Sequence, residues 1–127
     1  MTIAVGAANE FDTLRSVILR TAVPFAANLD PHIEPDPGYR RQLESWSWAR
    51  YDVALAQQQL DAFARQLESH GIRVLLAATV PGCDSQHYPR DLGFVIDDVF
   101  VLGRPRHEIR QWEITGLRPL IERLPRV

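Results

Sequence analysis

A mixed α/β chain of the α+β kind is predicted by three observations. Short apolar runs rich in β-branched residues recur, an apolar stripe at helical spacing occupies the middle of the chain, and two further apolar runs stand only two residues apart. At 127 residues, 46% of them apolar, the chain is long enough to bury one modest core, so residues 1–127 are expected to form a single domain. The formal net charge of -2 gives no cationic footprint for a phosphate backbone, which argues against a nucleic-acid partner.

The first element is a strand over Leu14–Arg20, whose Val17-Ile18-Leu19 centre suits a mostly buried sheet. Four prolines between Pro24 and Gly38 interrupt any periodicity and withhold backbone donors, which predicts a surface loop. From about Tyr39 to His70 the chain turns rich in Ala, Gln, Leu and Arg. Val53, Ala56, Leu60, Phe63, Ala64 and Leu67 share one helical stripe there, predicting a long amphipathic helix stopped by Gly71.

Ile72–Ala77 then reads as a buried strand, left at Pro81-Gly82. The runs Gly93–Ile96 and Val99–Leu102 are separated by Asp97-Asp98 alone, which predicts an antiparallel hairpin. After Pro105 a second helix is expected from about His107 to Leu124, carrying Ile109, Trp112, Ile114, Leu117, Leu120, Ile121 and Leu124. Gly116 and Pro119 weaken it locally.

Apolar stretches such as Ile72–Val80 are far shorter than the ~20 residues of a membrane-spanning helix, and the first residues lack a basic region followed by an apolar block. A soluble, cytoplasmic protein without a membrane partner is the expectation. A single cysteine, Cys83, excludes an internal disulfide framework and offers no paired metal-ligand spacing.

The segment Tyr88-Pro89-Arg90-Asp91 places a cation and an anion at the mouth of the hairpin, and Arg110-Gln111-Trp112-Glu113 follows at the start of a helix. With Phe11–Leu19 as an opening strand, this order resembles the guanidino-group-modifying enzymes, and within them most nearly the amidinotransferase branch. The resemblance implies part of a pentein propeller, about one and a half to two ββαβ-type units. It also implies chemistry on the guanidino group of arginine or a related compound, by transfer or by hydrolysis, without a cofactor.

In that family a cysteine attacks the guanidinium carbon, a histidine moves protons and carboxylates grip the guanidinium nitrogens. Covalent catalysis of this kind splits one difficult step into two. By position in the motif, Asp91 corresponds to one of the gripping carboxylates. The family's cysteine, histidine and further carboxylate lie downstream of the residues present here, so this chain is expected to be catalytically incomplete. Self-association or a complementing chain is expected to cover its open sheet edges.

Each candidate also has a plainer explanation. By residue type alone Asp91 is a turn or cap aspartate, and Arg90 is a structural partner of a buried carboxylate or carbonyl. Arg110 and Glu113, three apart on a helix, suit a weak ion pair. Cys83 precedes Asp91 and so stands in the wrong order for the nucleophile; an inert loop cysteine is the simpler expectation. His87 is a solvated loop histidine or a proton carrier near Asp91, and His107 marks a helix start. Trp46 and Trp48 point in different directions on a helix, so at most one packs inward. Asp97 and Asp98 supply too few oxygens for calcium, and no metal is expected. The alternative to an enzyme fragment is a non-catalytic guanidino-ligand-binding or assembly module.

Overall fold

The computed structural model describes residues 2–3, 5–9, 11–22, 35–45, 52–83, 86, 88–125 and 127. Its first strand, β1, is Ser16–Leu19, and it pairs in parallel with β2, Arg73–Leu76, in the register Ser16↔Arg73 to Leu19↔Leu76. Parallel neighbours need a crossover, and a helix supplies it. Both strands expected from their apolar runs are present, with one or two residues trimmed from each end.

The expected single helix from Tyr39 to His70 is corrected. Helix α1 spans Pro37–Ser45, beginning before Gly38 inside the expected loop, and helix α2 spans Val53–Ser69. Asp36 accepts from the amides of Gly38 and Tyr39 at 2.8 and 3.3 Å, while Pro37 at the first position has no amide to satisfy. Asp52 is extended at φ -81° and ψ 98°, and its carboxylate accepts from the Leu55 amide at 2.9 Å, so a fresh helix starts there. Residues 23–34 of the expected loop, together with Trp46 and Trp48, lie outside the described residues.

Gly71 closes α2 as expected. At φ +75° it takes the left-handed conformation, with its amide on the Glu68 carbonyl and the Ile72 amide on that of Leu67. The apolar stripe of α2 is half-buried at Val53, Ala56, Leu60, Ala64 and Leu67, but Phe63 is exposed.

The hairpin forms as expected: β3, Gly93–Ile96, pairs antiparallel with β4, Val99–Leu102, from Gly93↔Leu102 to Ile96↔Val99. Asp97 sits at φ 49°, as a two-residue hairpin turn requires, and paired bonds of 2.9 and 3.0 Å with Ala7 hold its backbone. The N-terminal segment thus supports a turn whose side chains favour it less than Asn-Gly. Gly93 leaves room for the Phe100 ring, which a Cβ would strike.

The last expected helix is two helices. Helix α3 covers Glu108–Gln111 and α4 covers Ile114–Ile121, with Trp112 and Glu113 between them joined by tighter i to i-3 bonds. The Glu113 carbonyl accepts from the Arg20 guanidinium at 2.7 Å as well as from the Gly116 amide at 3.0 Å. Trp112, expected on the buried stripe, is exposed.

The core joins Ile3, Ala77, Leu92, Leu117 and Leu120, with Ile18, Leu75 and Ile114 packed against it. It sits between the β1–β2 pair, the N-terminal segment and α4. Among the described residues the architecture is mixed α/β with two small two-stranded sheets. Among the described residues, no helix is long and apolar enough to cross a membrane.

Candidate functional site

The turn that carries Asp91 is held at both ends. Pro89–Asp91 forms one 3-10 turn, with the Asp91 amide on the Tyr88 carbonyl and the Leu92 amide on that of Pro89. Leu92 is fully buried, and its carbonyl accepts from the Gly103 amide at 2.8 Å, tying the turn to the end of β4. The turn therefore has little freedom to move relative to the hairpin.

From it the Asp91 side chain reaches α3. Arg110 Nη1 donates to Asp91 Oδ2 at 2.7 Å, while Arg110 Nε and Nη2 donate to Glu113 Oε1 and Oε2 at 3.1 and 3.2 Å. The fork on Glu113 is bidentate, the geometry in which a guanidinium and a carboxylate bind most strongly. Arg110 Nη2 also points at the Tyr88 carbonyl, at 3.4 Å. Glu113 is fully buried, the Arg110 side chain is 13% exposed and the Asp91 side chain is 46% exposed. Burial disfavours the Arg110 cation, but the hydrogen bonds to Glu113 and Asp91 outweigh it and hold its pKa above the ordinary value.

A second guanidinium stands behind the first. Arg20, 3% exposed, donates to the carbonyls of Ala78 at 3.1 Å and Glu113 at 2.7 Å, and to Gln86 Oε1 at 2.8 Å. Gln86 is fully buried and also bonds the backbone of Val80 and Cys83. Among the described residues Arg20 Nε has no acceptor. Desolvation lowers the Arg20 pKa, with the Glu113 charge opposing it. Arg20, Glu113, Arg110 and Asp91 thus form a row of alternating charge from the interior to the surface.

The expected ion pair of Arg110 with Glu113 is present, and Asp91 is its third member. Arg90, expected to pair with a buried group, makes no hydrogen bond or ion pair among the described residues, and its side chain is exposed. Cys83 is buried and its thiol donates to the Ile109 carbonyl at 3.2 Å, which suits an inert cysteine. His107 stacks on Tyr39 with ring centroids 3.6 Å apart, and Arg106 approaches Asp36 at 3.7 Å, so both latch α1 to the segment after β4. His87 lies outside the described residues. Among the described residues no group of three or more potential ligands that could hold a metal ion forms around Asp97 and Asp98 or elsewhere.

Arg20 and Gln86 were not legible as site residues. Arg20 follows an apolar strand, and its charge gives no sign that three acceptors wait 58 to 93 positions away. No protein-family model, curated protein or solved structure matches the chain.

Proposed function

We propose that this chain is the N-terminal portion of a guanidino-group-modifying enzyme of the amidinotransferase type, and that Asp91 grips the guanidinium of arginine or a related compound. The observation that carries this reading is the orientation of Asp91. Its Oδ2 is fixed by Arg110, which the buried Glu113 holds in a bidentate fork, while the carboxylate remains 46% exposed. A carboxylate offers about four lone-pair positions, so an Asp91 fixed through Oδ2 and still exposed has acceptor capacity left for a second planar cation at little entropic cost.

The order β1–α1–α2–β2, then the hairpin and α3–α4, is compatible with the proposed partial pentein. The proposed role is binding without turnover by this chain alone. The reaction needs an accessible thiolate, and Cys83 is buried with its thiol turned to the Ile109 carbonyl.

Calorimetric titration with arginine tests the grip, and an assay for ammonia, ureido product or amidino transfer tests the chemistry. Saturable arginine binding that Asp91→Ala removes is the expected outcome; unchanged binding in that variant refutes the role of Asp91. Turnover by the isolated chain contradicts the binding-only role.

The 2.7 Å bond from Arg110 favours a second reading, a non-catalytic module in which Asp91 mainly latches the hairpin mouth to α3. Arginine then gives no shift in melting temperature, whereas Asp91→Ala lowers it slightly.

A further inference from the structure

Beside the turn an apolar groove of about 400 Å³ runs between β1 and the hairpin. Val17 and Leu19 of β1, Leu75 of β2, Phe100 of β4 and Leu117 of α4 line it, with the residues of the turn from Tyr88 to Arg90 at one side. The volume falls within the ~300–1,000 Å³ of ordinary small-molecule sites. Among the described residues Arg90 is the one charged residue on this lining. Unlike Arg20 and Arg110, it has no acceptor among the described residues.

We propose that the groove binds a linear aliphatic carboxylate, with the chain between the strands and the carboxylate on the Arg90 guanidinium. An apolar wall rewards an apolar body, and a planar guanidinium matches a carboxylate in a paired hydrogen bond. A single cation at the edge suits a monoanion, whereas a phosphate dianion calls for more positive charge. Asp91 does not line the groove, so this site is separate from the proposed guanidinium grip and stands or falls without it.

Titration calorimetry of the full chain with hexanoate, octanoate and decanoate, each below its micelle-forming concentration, tests the proposal. At about 0.8 kcal/mol per buried methylene, affinity is expected to rise about fourfold per carbon until the groove is full. Arg90→Gln, a change at an exposed position, is expected to weaken octanoate about two- to fivefold while leaving 1-octanol unaffected. Octylammonium is expected to bind more weakly than octanoate.

Absence of saturation, equal affinity for octanoate and octylammonium, or insensitivity to Arg90→Gln overturns the proposal. A dimer in sedimentation that excludes octanoate overturns it as well, because a second copy of the chain then fills the groove.

Discussion

Replacing Arg110 by Met keeps an unbranched apolar stem and removes the guanidinium with its charge. Glu113, at 0% exposure, is then a buried carboxylate without its bidentate partner, whereas Asp91, at 46%, turns to water. Breaking a buried pair from one side costs about 3–5 kcal/mol, because the remaining charge is stranded. An exposed pair is worth about 1 kcal/mol or less, so Asp91→Asn is expected to cost no more than that. For a 127-residue chain a total stability of about 6–19 kcal/mol follows from the usual range per residue, so Arg110→Met removes a substantial part of it.

Urea unfolding followed by far-ultraviolet circular dichroism measures both variants. The double variant Arg110→Met/Glu113→Gln separates the pair from its surroundings: neutralising Glu113 relieves the stranded charge, so its cost is expected to fall below the sum of the single changes. If Arg110→Met costs as little as Asp91→Asn, the buried fork does not anchor the row of charges and the reasoning fails.

Other regions give independent checks. Gly116→Ala drives a methyl group into the Ala78 carbonyl and against Arg20, and overpacking of this kind is expected to cost about 1–3 kcal/mol in the same unfolding assay. Backbone bonds from Gly38 and Tyr39 hold the Asp36 pKa below its ordinary value, so this cap stabilises the fold above the unfolded-state pKa and is lost as pH falls through the folded one. An NMR titration of the Asp36 carboxyl is accordingly expected to show a midpoint below about 3.9, and a midpoint above it contradicts the cap. Cys83 should react with a thiol reagent only as fast as the protein opens, with the rate rising in urea; fast reaction of the native chain contradicts its burial.

What was legible in the sequence is what short-range physics controls. The hairpin was legible because two apolar runs two residues apart have few other ways to connect, and Gly71 stops α2 because only a residue without a Cβ takes that turn freely. The Arg110–Glu113 pair followed from helical spacing, since i and i+3 side chains share a face. The bond from Arg20 to the Glu113 carbonyl was hidden because its partners stand 93 positions apart. The third member of the ion row was hidden for the same reason, as Asp91 and Arg110 meet only once the hairpin and helix have folded together. Asp52 was visible as a residue but not as a cap, because the composition rich in Ala, Gln, Leu and Arg runs from about Tyr39 past it to His70.

The most direct test of the guanidinium grip compares arginine with citrulline, which replaces the cation by a neutral ureido group of nearly the same shape. Calorimetric titration of the wild-type chain and of Asp91→Asn reads both affinities. An Asp91 fixed by Arg110 predicts saturable arginine binding, much weaker binding of citrulline, and loss of that preference in the variant. Equal affinity for the two ligands, or a preference that survives Asp91→Asn, contradicts the account.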